Sequence, residues 1–567
     1  MVLSVSIEDS GADESKTPVK QDIEEYKQSL CEIDLHLLQQ RLMSDRHYAN
    51  AFKIDMTNMV ETKQRIGFDN EAYIKEQTTS ILERVDRFQE KLYLEFGGKI
   101  MYDYHASRVL PGFDPNVKMR LLQELKDKID IILCVHAGAI EERKIRADFG
   151  ISYDADTLRT IDEFKGWGLE ITAVVITRYQ DQSQARSFKN KLERNGIKVY
   201  THGYTQGYPM DVDLIVSDQG YGANPYIETT RPIVVVTAPG PGSGKLATCL
   251  NNMYHEYKKG LKAGYAKFET FPIWNLPLSH KVNIAYEAAT VDLKDIVQID
   301  HHHLEAYNEK TVNYNRDIEA FPLLRRILEK ITGEDSIYKS PTDMGVNRAS
   351  AGIVDDQVIS EASHQEIIRR YFRCAMDYSL GHGDRDDLDR AELVMEKVKA
   401  RVMDRKVVKP AREAAREAEE TGKGKEGIYC GAAMELNDGT IVTGKNSPLM
   451  HSASSLILNA AKHLAGLPDH MHLLPANMIE KLTFLKKEVL TGKMISLDLE
   501  ETLVMLGISA ISNPAAQLAI EKLAELRNCE VHLTHIPTAG DEAGLRKLHV
   551  NLTCDPEFSS NGLFMGS

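Results

Sequence analysis

Residues 231–245 read RPIVVVTAPGPGSGK, an apolar β-branched run that opens into a glycine loop and closes on a lysine. Gly240, Gly242 and Gly244 permit backbone angles closed to other residues, so successive N–H groups can turn toward one anion. Lys245 adds charge where the dipole of a following helix already favours an anion. Leu246, Leu250, Met253, Tyr254 and Tyr257 recur at helical spacing and predict that helix. The chemistry implied is phosphate binding. Against the nucleotide-binding pattern G-x-x-x-x-G-K-[ST] the match is partial: Gly244 and Lys245 fit, but Pro239 stands at the first glycine and Leu246 at the magnesium-ligating hydroxyl. Ser243 and Thr248 are nearby hydroxyls for phosphate, or for a magnesium ion brought by a nucleotide, though neither has the required spacing. The competing reading is a tight strand-to-helix turn that uses its glycines for packing alone.

A second glycine-lysine turn, Gly97-Gly98-Lys99, follows the strand-like run LYLEF, with His105, Ser107 and Arg108 downstream. Gly97, Gly98, Lys99 and Arg108 are therefore further candidate phosphate ligands. Phosphoryl transfer needs positioned charge, and beside Lys245 the candidates for it are Asp218, which closes LIVSD, and Glu269, within KFETFPIWNLP. An aspartate closing a strand also serves as a cap. The loop YKSPTDMGVN, with Lys339, Ser340, Thr342, Asp343 and Asn347, is polar enough to reach into a neighbouring cleft, and surface turns share its composition. His301, His302 and His303 are consecutive, so they do not converge on one ion and are read as solvent-facing residues at a helix start. No metal site is expected.

The elements that must position these groups alternate. Strands are predicted at 92–96, 129–135, 169–177, 197–200, 213–218 and 232–237, with helices such as 156–165 and 184–194 between them. That order implies an α/β fold, a doubly wound and mostly parallel sheet covered on both faces, whose ligands gather beyond the carboxyl ends of the strands. The expected division is an extension at 1–65, partly disordered; an α/β phosphate-binding-type domain at 66–277; a mainly helical domain at 278–424; and a second α/β domain at 428–567 after the linker TGKGKEG.

Bulk properties narrow the function classes. A net charge of -15 over 567 residues denies nucleic acid its basic footprint. No apolar run approaches the roughly 20 residues of a membrane span, and the start MVLSVSIEDS lacks a secretory pattern, so cytoplasm is the default location. The seven cysteines form no C-x-x-C pair and read as core thiols.

In the last domain, Asn437-Asp438-Gly439 predicts a hairpin turn, followed by the apolar helical face of HSASSLILNAAKHL and later by NPAAQLAIEKL. This layout resembles the cytidine-deaminase fold, in which one His and two Cys hold zinc and a Glu shuttles protons. His451 stands at the histidine position and Pro514 at the proline, but Ala453 replaces the glutamate, and Ala515 and Leu518 replace the cysteines. The resemblance implies a scaffold without zinc chemistry, expected to self-associate as a homo-oligomer; the competing reading is an unrelated α/β domain with a chance histidine.

Taken together, IGFDN from Ile66, YLEFGGK from Tyr93, DYHASRVLPGF from Asp103, DVDLIVSD from Asp211, ETTRPIVVVTAPGPGSGK from Glu228, KFETFPIWNLPLSH from Lys267 and SPTDMGVN from Ser340 resemble the bacterial family termed domain of unknown function eighteen forty-six. The likeness runs from about Ile66 to the C-terminus and implies kinship without an activity. Some members carry the label ATP-dependent peptidase. Here Lys259 stands where H-E-x-x-H from His255 needs its second histidine, and no serine has glycine two residues to either side. The expectation is a cytoplasmic protein that binds a nucleotide or phosphorylated small molecule. It is either a phosphoryl-transfer enzyme or a non-catalytic protein that senses a metabolite or drives assembly.

Overall fold

The computed structural model describes residues 65–560 except 89, 147–149, 426 and 491–494, so the extension expected at 1–65 lies outside the described residues apart from its last. In chain order come β1 (Lys91–Phe96), β2 (Ile129–His136), a two-residue hairpin of β3 (Ile145–Arg146) and β4 (Ile151–Ser152), β5 (Ala173–Thr177), β6 (Val199–His202), β7 (Ile233–Thr237) and β8 (Ala263–Phe268). Six of these form one sheet in the order β6-β5-β2-β7-β1-β8, with every neighbouring pair parallel.

Continuous Val, Ile and Leu runs suit strands buried on both faces, and β7 is buried throughout. Leu92, Leu94, Ile233 and Val235 pack on one side against Val109, Leu121 and Leu122. Tyr93, Val234 and Val236 pack on the other against Cys249, Leu250 and Met253 of the helix Lys245–Lys258. The helices Lys281–Ala289 and Asp356–Ser379 add Ile284, Ile367 and Phe372 to the first of these cores.

The connections set the site. From β1 the chain passes through Tyr104–Val109 and Val117–Glu124 on one face, crossing β7 to reach β2. From β7 it passes through Lys245–Lys258 on the opposite face, crossing β1 to reach β8. Adjacent strands whose exits part to opposite faces leave a crevice at their carboxyl ends.

One predicted strand is not a strand. Residues 212–215 form a short helix capped by the Asp211 carboxylate, which accepts from the Leu214 amide at 3.0 Å. A side chain that offers the backbone a local acceptor draws it out of the extended state. The sixth strand is β8, from AGYAKF. Elsewhere the predicted strands hold, 169–177 shortening to Ala173–Thr177 and 197–200 sliding to Val199–His202.

Beyond a small antiparallel pair, β9 (Val297–Ile299) and β10 (Val312–Tyr314), the C-terminal part builds a second sheet. Its strands are β11 (Gly431–Glu435), β12 (Ile441–Lys445), β13 (Glu530–Leu533) and β14 (Asn551–Cys554), in the order β12-β11-β13-β14. β11 runs antiparallel to both neighbours, and β13 and β14 are parallel. Ala432, Met434, Val531 and Leu533 face Leu456 and Ile457 of the helix Ser452–Leu464 in a separate core. No helix among the described residues is long and apolar enough to cross a membrane.

Candidate functional site

A cleft of about 930 Å³ opens at the crevice, bordered by Gly240, Gly242 and Lys245 after β7, by Gly97, Gly98 and Lys99 after β1, and by Lys267 and Glu269 at the end of β8. Both predicted glycine turns and Glu269 therefore meet in one place.

The loop after β7 leaves its amides without internal partners; Gly240, Gly242, Lys245 and Leu246 line the cleft, whereas Ser243 and Gly244 lie behind its wall. Gly242 and Gly244 have φ of 68° and 83°, and a Cβ on Gly244 would lie 2.9 Å from the Thr177 methyl. Thr177 Oγ1 donates to the Ser243 carbonyl at 2.9 Å and Ser243 Oγ to the Gly240 carbonyl at 2.8 Å. The carbonyls are thus tied inward. The amides of Gly240, Gly242, Ser243, Gly244, Lys245 and Leu246 donate to no other described group, and Lys245, half-buried on the cleft wall, has no ion-pair partner among the described residues.

The hydroxyls considered for phosphate or metal are not available to either. Ser243 is buried with its Oγ spent on Gly240. Thr248, fully buried, donates to the Gly244 carbonyl at 3.0 Å and accepts from Cys134 Sγ at 3.4 Å. They brace the loop from beneath.

On the β1 side, Gly97 leaves room for Glu269, since a Cβ there would sit 2.1 Å from the Glu269 Cγ. Lys118 Nζ fixes the turn by donating to the Lys99 carbonyl at 2.7 Å and to Asp103 at 3.2 Å. Arg108 reaches the cleft wall but is held by Glu366, through Nε at 2.8 Å and Nη2 at 3.1 Å. It anchors rather than waits for an anion.

Glu366 is fully buried. Burial alone would raise its carboxyl, yet the Arg108 and Arg369 guanidiniums and His105 hold it well below the usual carboxylate range. His105 Nδ1 lies 2.9 Å from Glu366 Oε1 and 3.1 Å from Arg370 Nη2. Desolvation brings this imidazole down to about 4, so it is neutral near pH 7. Its buried Nε2 has no partner, and the residue lines the cleft. A neutral ring nitrogen in that position can take or give a proton.

The far wall is richer in carboxylates. Lys267 Nζ lies 2.6 Å from Asp317 and 3.2 Å from Glu269, and Arg316 lies 3.3 Å from Asp295. Desolvation raises the Glu269 and Asp295 carboxyls, with Lys267 opposing at the first and Arg316 at the second. Asp295 Oδ1 and the Tyr314 hydroxyl are buried without partners.

Other candidates fall outside this constellation. Asp218 has a side chain 79% exposed, bonded to Lys258 at 2.6 Å and to the Tyr254 hydroxyl at 2.9 Å, and it is not on the cleft wall. Without a strand to end, it has no strand-end position to occupy. In the loop 338–347, Thr342 and Asn347 reach the wall while Lys339, Ser340 and Asp343 do not. Ser340 caps the turn Pro341–Met344 and bonds His303 at 2.8 Å; the Asp343 carboxylate accepts from the Tyr307 hydroxyl at 2.9 Å and from the Lys339 amide at 2.8 Å. Thr342 Oγ1 donates to Asp300 at 2.7 Å, and Asn347 Nδ2 holds the Thr270 and Pro272 carbonyls. His303 is accordingly buried rather than solvent-facing.

Sequence reasoning passed over His105, Asp295, Tyr314 and Arg316 as site residues. For His105 a local signal existed, a histidine six residues beyond the turn Gly97-Gly98-Lys99. The others arrive from loops with no motif.

In the C-terminal part, His451 Nδ1 lies 2.7 Å from Asp541, Ala453 is buried, and Leu518 is 47% exposed on the helix Pro514–Lys522. Among the described residues no cluster of three or more His, Cys, Asp or Glu is arranged to hold a metal.

Comparison with known proteins assigns kinship. The family described as "Domain of unknown function DUF1846, N-terminal" matches residues 66–399, and its C-terminal counterpart matches 403–564. A UPF0371 protein of Clostridium tetani (strain Massachusetts / E88) is 57% identical over 500 residues, covering 88% of this chain and 99% of the relative. UPF0371 proteins of Clostridium botulinum strains Langeland and Alaska E43 match to the same extent.

Proposed function

The chain belongs to the DUF1846 family, and from that premise we propose that it binds a small phosphorylated molecule, a nucleotide or a phosphorylated metabolite, in the cleft at the ends of β7, β1 and β8. The observation that carries this reading is the set of amides of Gly240, Gly242, Ser243, Gly244, Lys245 and Leu246, none donating to another described group, next to the ammonium of Lys245, which has no ion-pair partner among the described residues. Amides without internal partners at the start of the 14-residue helix Lys245–Lys258 suit an anion. Lys99 and Lys144 on the same wall add to the positive field.

His105 favours an enzyme over a passive sensor. Its neutral imidazole, with a buried Nε2 that has no partner beside the cleft, suits acid–base chemistry on a phosphate ester. Glu269 stands beside the same ligand, its charge shared with Lys267. In the C-terminal part, the strand order β12-β11-β13-β14 followed by a helix from His451 supports a deaminase-like scaffold turned to a supporting role.

The test is thermal denaturation against inorganic phosphate, pyrophosphate, nucleotides and sugar phosphates, with and without magnesium. A ligand that binds only the native state raises the melting temperature by mass action. Stabilisation by phosphorylated compounds, absent in Lys245→Ala, is expected. No shift with any of them, or the same shift in the variant, would refute the proposal.

A further inference from the structure

Three buried polar atoms on the cleft wall lack any partner: His105 Nε2, Asp295 Oδ1 and the Tyr314 hydroxyl. Leaving such atoms unpaired is unfavourable, so a ligand that satisfies them gains specificity. None lies on the glycine loop or its own strand. Tyr314 ends β10, Asp295 lies just before β9, and His105 sits on the first helix after β1. Beside Asp295 stand the Glu269 and Asp317 carboxylates, tempered by Lys267 and Arg316.

The sheet sets the distance between the two ends. β7, β1 and β8 are consecutive, and strands lie about 4.8 Å apart, so the phosphate loop and the Glu269 wall are separated by roughly 10 Å. Inorganic phosphate cannot span that gap; a six-carbon phosphate ester can. The wall offers an acceptor in Asp295 Oδ1 and a hydroxyl in Tyr314 that both donates and accepts, so its complement is a chain of hydroxyl or amino groups. The partly exposed ring of Tyr286, stacked at 4.6 Å on buried Phe271, lines the same wall and offers a sugar ring an apolar contact.

We infer that the cleft is specific for a sugar phosphate, its phosphate on the amides of residues 240–246 and its hydroxyl or amino groups on Asp295, Tyr314 and His105. The inference rests on the phosphate reading above and adds the ligand class. Hydroxyl and amino donors share this chemistry, and the experiment separates them.

The experiment is calorimetric titration of the full chain with a hexose 6-phosphate, the 2-amino-hexose 6-phosphate, the unphosphorylated hexose, inorganic phosphate and ATP. One of the two sugar phosphates is expected to bind at least about tenfold more tightly than inorganic phosphate or ATP, and the free hexose not measurably. Tyr314→Phe, which removes only an unpartnered hydroxyl, and Asp295→Asn are each expected to weaken the sugar phosphate about 5- to 30-fold while leaving inorganic phosphate unchanged. Equal affinity for sugar phosphate and inorganic phosphate, tighter binding of ATP, or wild-type affinity in both variants overturns the inference and leaves the phosphate site standing. Failure of every phosphorylated probe overturns both.

Discussion

His105 Nδ1 lies 2.9 Å from the carboxylate of Glu366, across 261 residues of chain. This contact joins the helix that follows β1 to the long helix Asp356–Ser379, and with Arg108, Arg369 and Arg370 it makes Glu366 the hub of a buried charge network. Removing one member of a buried pair leaves its partners' charge uncompensated, which typically costs about 3–5 kcal/mol. Glu366→Gln should lower the urea midpoint by that order. His105→Asn, which leaves the carboxylate with its three arginines, should cost only about 1–2 kcal/mol. Equal losses in the two variants would show that Glu366 is not the hub.

The loop glycines separate strain from collision. Gly242 and Gly244 both hold positive φ, but a Cβ on Gly242 meets nothing within 4 Å and one on Gly244 meets Thr177. Gly242→Ala should cost about 1–2 kcal/mol from backbone strain and keep phosphate binding. Gly244→Ala carries the same strain plus the clash, and should lose phosphate binding as the loop shifts off Thr177. Melting temperature and titration of each variant with inorganic phosphate check the contrast.

Thr248 supplies a test of the corrected role. Because its hydroxyl braces the Gly244 carbonyl from beneath, Thr248→Ala should reduce stability by about 1 kcal/mol and leave any magnesium dependence of ligand binding unchanged. A variant that abolished magnesium dependence would restore the hydroxyl as a metal ligand.

Acid should unfold the protein early. Desolvation lowers His105, His202 and His535 to about 4 from an ordinary 6.5. The unfolded chain takes up protons below about 6.5 while the native state resists until about 4, so the stability they contribute is complete above 6.5 and lost as pH falls through that window. Each accounts for up to about 3 kcal/mol. Glu366 and Asp541, held low, extend the loss to lower pH, whereas Glu269 and Asp295, raised by burial, run the other way. Urea midpoints should fall steadily from about pH 7 to pH 4.5; a flat profile would contradict the buried neutral state of these histidines.

Arg405 braces β13 and β14 of the C-terminal sheet. Nearly wholly buried, it pairs with Glu530 and donates to Thr553 at 2.9 Å and to the Val531 and Asn551 carbonyls at 3.1 and 2.8 Å. Arg405→Met should cost about 3–5 kcal/mol, read in the urea midpoint. A loss under about 1 kcal/mol would place it among ordinary surface pairs.

How much of this was legible in the sequence depended on range. β1, β2, β5 and β7 are apolar runs that mark themselves, and the strand, glycine loop and helix around Lys245 form one local unit whose pattern is its geometry. DVDLIVSD read as a strand because its apolar residues imitate one, while the deciding hydrogen bond, from the Leu214 amide to Asp211, leaves no trace in hydropathy. His303 read as exposed because its partner, Ser340, is 37 residues away. The cleft's polar wall was illegible for the same reason: Asp295, Tyr314 and Arg370 reach it from separate elements, and only the fold brings them together. Ser243 and Thr248 show the opposite failure, residues near the right spacing whose hydroxyls the fold consumes.

The central claim is that the amides between Gly240 and Lys245 receive phosphate. The most direct measurement is a TROSY spectrum of protein labelled with ¹⁵N-glycine, titrated with inorganic phosphate. The account predicts that the Gly240, Gly242 and Gly244 amides shift downfield together and saturate at one affinity, and that the response disappears in Lys245→Ala. Shifts confined to other glycines, with these three unmoved, would contradict it.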